Sequence, residues 1–201
     1  MFIINICLQI SFIILKYFCA MEVIESGQDW KIAALRSSFH VHFLLLLKRL
    51  IYMNMKYMDL AFDYANEAYK NDEIPVGAVI VKDDSVISFG YNKKEQSNCS
   101  LFHAEMIALY DASKILNNWR LDNCDIYVTL DPCPMCASAI KQSRIKNVYS
   151  ALSNSDSLNN SIVNNIFKSD NTNPEVNFVS NLAVDKSKKL LNDFFVNQRK
   201  I

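Results

Sequence analysis

Four side chains in the middle of this 201-residue chain have the types and spacing of a hydrolytic metal site. His103 lies two residues before Glu105, and Cys133 and Cys136 follow in a Pro-Cys-x-x-Cys arrangement. One imidazole and two thiolates can hold Zn²⁺ and leave its fourth position open to water. A carboxylate beside the histidine can then move protons to and from that water. We therefore predict that His103, Cys133 and Cys136 bind one zinc ion per subunit and that Glu105 is the catalytic proton-transfer residue.

Each part of this pattern has a simpler interpretation when it is taken alone. A Cys-x-x-Cys pair also occurs in structural zinc ribbons and in redox sites, although the chain contains no second pair that would complete a ribbon. A histidine that opens a helix is often structural, and a glutamate in a first helical turn often only complements the helix dipole. The joint order favours hydrolytic chemistry, because His-x-Glu followed by Pro-Cys-x-x-Cys is typical of zinc enzymes that deaminate nucleobases.

Strand and helix patterns alternate around these residues and predict a three-layer α/β/α domain. Apolar residues at helical spacing predict an amphipathic helix over 57–68, which Pro75 prevents from continuing. The other predicted elements are strands over 76–81, 86–91, 126–130, 147–151 and 176–179, and helices over 103–116, 134–140, 162–167 and 185–198. We expect Met106, Ile107, Leu109 and Tyr110 to supply the buried face of the second helix, and Leu190, Leu191, Phe194 and Phe195 that of the last.

The predicted elements place the ligands at helix starts. Pro132 and Pro134 suit the entrance of a helix, where a missing N–H costs little, and the Cys-x-x-Cys spacing then puts both sulfurs on one turn. A helix N-terminus carries partial positive charge, which favours thiolates. His103 also opens a predicted helix. Two helix N-termini are therefore expected to meet at the metal, beyond the carboxyl ends of neighbouring strands.

The composition limits how the chain can bind nucleic acid and indicates its cellular compartment. Lysine plus arginine balance aspartate plus glutamate at 21 each, so the chain cannot bind nucleic acid through overall charge alone. Six cysteines, two of them in the metal motif, are too few and too irregular for a disulfide framework. Thiolate ligands suit a reducing compartment, and we therefore expect the cytoplasm.

Residues 1–54 differ from the rest of the chain. Two apolar blocks, 2–18 and 39–47, are respectively marginal and too short for a bilayer span, and no signal-peptide pattern accompanies them. Three interpretations compete: an over-extended gene model upstream of a true start at Met53 or Met55, a helical extension, or a membrane anchor. We favour the first, expect no membrane partner, and place a zinc-dependent deaminase domain over 55–201. The N-terminal mass of the protein from its native cell separates the three.

From about residue 55 to 199 the chain resembles the bacterial tRNA-specific adenosine deaminases, within the cytidine and deoxycytidylate deaminase superfamily. The matching segments are 73–79 (EIPVGAV), 90–92 (GYN), 103–109 (HAEMIAL), 127–133 (YVTLDPC), 135–137 (MCA), 143–145 (SRI) and 190–195 (LLNDFF). This resemblance implies the cytidine-deaminase-like α/β fold, with a five-stranded mixed sheet between helices.

The same resemblance implies a function and its partners. The family converts the wobble adenosine of the tRNA anticodon loop to inosine with release of ammonia. It implies a homodimer in which each subunit contributes to RNA binding, and it implies that Asn92 hydrogen-bonds the flipped nucleotide. Phe194 and Phe195 on the last helix could stack on RNA bases, or could be a core pair.

Three departures from the family pattern leave an alternative open. Asp131 stands where the family usually has Glu, and residues 99–102 (CSLF) and 150–153 (SALS) replace Asp-Pro-Thr-Ala and Gly-Ala-Arg-Asp. The last two segments lie where substrate is expected to be recognised. A deaminase of free cytosine, guanine or a nucleoside is therefore the alternative. A non-catalytic zinc module is a third possibility, which the presence of Glu105 disfavours because folding alone needs no carboxylate there.

Overall fold

The computed structural model describes residues 55–168 and 173–198. The predicted 1–54 extension, and with it the domain boundary, lies outside the described residues. The described elements are α1 (55–70), β1 (Gly77–Lys82), β2 (Ser85–Tyr91), α2 (Ala104–Ile115), β3 (Cys124–Val128), α3 (Pro134–Gln142), β4 (Asn147–Ser150), α4 (Ser157–Phe167), β5 (Asn177–Val179) and α5 (Val184–Gln198).

The strands form one mixed five-stranded sheet in the order β2-β1-β3-β4-β5. Strand β1 pairs antiparallel with both β2 and β3, whereas β3, β4 and β5 run parallel to one another. The predicted α/β fold with a five-stranded mixed sheet is confirmed. Because β3 and β4 are parallel, their carboxyl ends lie at the same edge of the sheet, and the segments that follow them are neighbours.

Alternate residues of the strands face two separate hydrophobic cores. On one face Ile80 and Ile126 pack with α2, α3 and α4; on the other Val79 and Tyr127 pack with Phe62 of α1 and with the start of α5. This alternation is the period of two that an extended strand imposes. It produces the three α/β/α layers that the sequence predicts.

A glycine in each of two neighbouring strands lets a helix lie directly on the sheet. A Cβ atom at Gly77 would overlap the backbone of α1 at Ala61, and one at Gly90 would overlap the backbone of α2 at Ala104. Side chains larger than alanine have little space under α2. The residues that α2 buries are accordingly alanines, apart from Glu105 and Leu109. They are Ala104, Glu105, Ala108, Leu109 and Ala112.

The expected buried face of α2 was therefore only partly right. Leu109 is buried, but Met106 and Ile107 are half-buried and Tyr110 is 65% exposed. Hydrophobicity predicts burial for Tyr110, whereas the close approach of the helix to the sheet selects alanines.

Three further expectations need correction. Helix α4 begins at Ser157, not near 162, because the Asp156 side chain caps it by accepting a hydrogen bond from the Leu158 N–H. Strand β3 ends at Val128 rather than at 130. In α5 Phe194 is buried as expected, but Phe195 is 46% exposed.

Candidate active site

The start of α2 and the start of α3 meet beyond the carboxyl end of β3. His103 is the N-cap residue of α2, and Cys133 is the N-cap residue of α3, with Cys136 in the first turn. Pro134 is the first residue of α3, where no N–H partner is needed. The structure thus brings together the three residues that the sequence selects as ligands, at two positive helix ends.

The distances between the three ligand atoms suit a zinc ion. His103 Nδ1 lies 3.8 Å from Cys133 Sγ and 3.6 Å from Cys136 Sγ, and all three atoms lie within 4.8 Å of one another. Tetrahedral zinc with Zn–S near 2.3 Å and Zn–N near 2.0 Å would separate sulfur and nitrogen by about 3.5 Å. Both nitrogen–sulfur distances therefore lie close to those that tetrahedral zinc requires.

The pKa values of Cys133 and Cys136 shift in opposite directions. Hydrogen bonds from the Cys136 thiol and from His103 lower the pKa of Cys133 to about 4, so its sulfur is a thiolate at neutral pH. The same sulfur–sulfur hydrogen bond, together with burial, raises the pKa of Cys136. The hydrogen bond to Cys133 also raises the pKa of His103. Metal binding releases protons from such a cluster, because thiol and imidazole groups bind zinc in their deprotonated forms.

Glu105 is a buried carboxyl group in the first turn of α2, only 3% exposed. Burial raises its pKa to about 7, since removal from water disfavours the charged form. Glu105 lines the same cavity as His103 and Cys133. The predicted proton-transfer residue therefore lies beside the predicted ligands, on the side where a substrate would enter.

A cavity of about 490 Å³ opens on this cluster, a volume suited to a small organic ligand. Its lining combines apolar walls with a few polar groups. Besides the cluster, the lining includes Ile74, Val76, Asn92, Asp131, Asn154, Phe194 and Phe195. The sequence motifs mark most of these positions, but nothing in the sequence marked Asn154, which lies in a polar loop after β4.

Asn92 connects two segments of the cavity wall. Its side-chain Nδ2 donates to the Ile74 carbonyl at 3.0 Å, and its Oδ1 accepts from the Ala104 N–H at 2.9 Å. The second bond anchors the first turn of the ligand-bearing helix α2. An amide has two N–H groups and two oxygen lone pairs, so these bonds use one of each.

Comparison with known proteins gives concordant matches. Residues 52–152 match the family model for the cytidine and deoxycytidylate deaminase zinc-binding region. The chain is 37% identical over 143 residues to the tRNA-specific adenosine deaminase of Buchnera aphidicola subsp. Schizaphis graminum, a match that covers 71% of this chain and 94% of that protein.

Solved structures match over much of their length as well. One comes from biochemical and structural studies of A-to-I editing by tRNA:A34 deaminases at the wobble position of transfer RNA. It superposes with a TM-score of 0.61 at 31% identity, over 68% of this chain and 99% of that one. A guanine deaminase from Bacillus subtilis superposes with a TM-score of 0.50 at 33% identity, over 62% and 83% of the two chains.

Removing one sulfur ligand is expected to remove the metal. Cys133→Ala leaves only His103 and Cys136, and we expect the purified protein to lose stoichiometric zinc and to unfold at a lower temperature, because metal binding is coupled to folding. Elemental analysis and thermal unfolding measure both effects. Cys99→Ala is the matched control, because Cys99 is a free cysteine outside the cluster. A zinc-replete Cys133→Ala protein of unchanged stability would contradict the assignment.

Proposed function

Since the chain belongs to the tRNA-specific adenosine deaminases of the cytidine and deoxycytidylate deaminase family, we propose that it hydrolyses the wobble adenosine of a tRNA anticodon loop to inosine and ammonia. The observation that carries this proposal is the buried Glu105 carboxyl group, which shares one cavity with the ligand cluster. Zinc is the cofactor, and we assign His103, Cys133 and Cys136 as its ligands. The deaminase domain spans residues 55–201 in this proposal.

The chemistry divides between the metal and Glu105. When bound, zinc supplies the Lewis acidity that makes water a nucleophile near neutral pH. Glu105 takes one proton of the attacking water and passes it to a ring nitrogen, and it then transfers the second proton of that water to the departing amine. The carbon–nitrogen bond to the amino group breaks and a carbonyl forms, so water and the amino base become ammonia and the oxo base. The burial of Glu105 keeps competing water from these proton transfers.

The cavity walls hold the base. Asn92 keeps one N–H and one lone pair for the nucleotide while its other groups brace the wall. Phe195 lines the cavity and is 46% exposed, so its ring is available for stacking on an unpaired base. Acting on a base inside RNA requires that the base leave its stack, which is easiest in a loop.

We also infer a homodimer in the cytoplasm. Leu101 and Phe102, which precede α2, and Tyr110 in its middle are 54%, 42% and 65% exposed, and large exposed side chains of this kind near a site favour a protein interface. The described cysteines are all free, as a reducing compartment requires. Within residues 55–168 and 173–198, no helix has the length and apolarity to span a bilayer.

The decisive assay uses purified, zinc-loaded protein and a tRNA that carries adenosine at the wobble position. We expect sequencing of the product to show inosine at that position, and the same tRNA with guanosine there to remain unchanged. The likeness to a guanine deaminase motivates the second arm, in which ammonia release from free guanine, cytosine and nucleosides is measured. Ammonia from a free base together with unmodified tRNA would overturn the proposal in favour of that alternative.

Glu105→Gln is expected to lose at least ~10²-fold in turnover, the usual scale of general acid–base catalysis, because an amide cannot carry the proton. The amide has the size of the carboxyl group, so zinc content and fold should be retained. Initial rates, elemental analysis and circular dichroism check these points. Glu67→Gln, which alters a partly exposed glutamate of α1 outside the cavity lining, is the control. Unchanged turnover in Glu105→Gln would remove Glu105 from the mechanism.

Tyr110→Arg is expected to halve the solution mass. A charge placed in an apolar dimer surface remains unpaired on association, which disfavours the dimer. Light scattering coupled to gel filtration measures the mass of wild type and variant. Val196→Arg makes the same type of change at an exposed apolar residue of α5 and should leave the mass unaltered. A monomeric wild type, or a dimeric Tyr110→Arg protein, refutes this interface.

A further inference from the structure

Asp131 is a buried carboxylate that the proposed chemistry does not use. It lies between β3 and α3, two residues before Cys133, and is only 6% exposed. It also lines the cavity. A buried charge is costly unless it is hydrogen-bonded, so its partners indicate what it is for.

Both oxygens of Asp131 accept hydrogen bonds from distant parts of the chain. Ser180 Oγ donates to Oδ1 at 2.7 Å, and the Asn154 backbone N–H donates to Oδ2 at 3.3 Å. The backbone N–H of Asp131 donates in turn to the Leu152 carbonyl at 2.9 Å. One residue therefore joins the start of the metal-ligand helix α3 to the loop after β4 and to the segment between β5 and α5.

One of the two segments that Asp131 holds lines the cavity, and the other leads into a helix that lines it. Asn154 itself lines the cavity, and Ser180 leads into α5, which contributes Phe194 and Phe195 to the lining. The two segments are also joined to each other, because the Ser153 N–H donates to Asn181 Oδ1 at 3.0 Å. We call Asn154, Phe194 and Phe195, which line this side of the cavity, the substrate wall.

We propose that Asp131 is a positioning residue, whose carboxylate sets the distance between the substrate wall and the metal-ligand helix. A carboxyl group presents two oxygens that can each accept a hydrogen bond, which suits a group that must hold two loops in place. Asp131 touches neither ligand atoms nor Glu105 in any hydrogen bond of the described residues. Its loss therefore weakens substrate binding and leaves the chemical step intact.

This inference rests on the proposed function for the substrate used in the test. For zinc-loaded Asp131→Ala acting on an adenosine-bearing anticodon stem–loop, we expect KM to rise about 10-fold, as for the loss of a hydrogen bond to a charged group. We expect kcat within about 3-fold of wild type and an unchanged zinc content, because interactions equal in ground and transition state affect KM alone. A purely structural defect in the metal loop would instead lower kcat and zinc together.

Two further variants separate positioning from stability. Ser180→Ala removes one of the two bonds without altering the metal loop, and we expect about a 3-fold rise in KM. Asp125→Ala is the matched control: it removes a hydrogen-bonded aspartate of β3 whose partner is Asn147, at the opposite end of the strand and outside the cavity lining. Asp125→Ala should leave KM unchanged even where it lowers the unfolding temperature.

A second measurement does not depend on the substrate. Amide hydrogen exchange of the zinc-loaded wild type should protect Asn154, and both Asp131→Ala and Ser180→Ala should speed exchange in 152–154 and 180–183 but not in α3. If wild type leaves the RNA unmodified, the proposed function fails and the exchange pattern still decides the role of Asp131. Unchanged KM, a joint fall of kcat and zinc, or unchanged exchange in those segments overturns the positioning role.

Discussion

The structure depends on the convergence of two helix N-termini at one edge of the sheet. His103 and Cys133 cap α2 and α3, and their ligand atoms come within 3.8 Å only because both helices pack on the same face of the sheet. Gly90 allows α2 to approach the sheet backbone closely, and the alanines of α2 fill the narrow space that remains. The residues that carry no chemistry thus determine where the chemical groups lie.

This convergence concentrates ionisable groups in a buried place. Glu105 and Cys136 are almost fully buried, and hydrogen bonds lower the pKa of Cys133 beside them. Such a cluster is costly to desolvate when it is incompletely paired. The positive helix ends offset part of that cost, and a bound dication offsets more. The arrangement that suits catalysis is therefore also one in which the metal contributes to the stability of the fold.

The cavity lies between two parts of the fold that pack on different hydrophobic cores. The ligand atoms and Glu105 come from the starts of α2 and α3, which follow β2 and β3, on either side of β1, and pack on one core. The opposite wall comes from the loop after β4 and from α5, which packs on the other core. The hydrogen bonds of Asp131 connect the two parts, and those of Asn92 connect the remaining wall to the first turn of α2. The loops of the opposite wall can therefore vary in sequence while the metal cluster is retained.

The sequence alone determined the ligand types, the α/β class and the order of the elements. These follow from short-range causes: the spacing of Cys133 and Cys136 on one helical turn, the position of Glu105 after His103, and the periodicity of apolar residues. Burial on α2 could not be predicted in the same way, since Tyr110 is 65% exposed whereas the same type of side chain at Tyr127 of β3 is buried.

Only the tertiary structure decided which residues line the cavity and how they are held together. Asp131, Asn154 and Ser180 meet through hydrogen bonds between segments separated by up to 49 positions, and no local pattern encodes such a meeting. Their partners depend on how β4 and α5 pack against the sheet. Local propensity acts over a few residues, whereas the contacts that shape a binding cavity are set by the packing of elements that are distant along the chain.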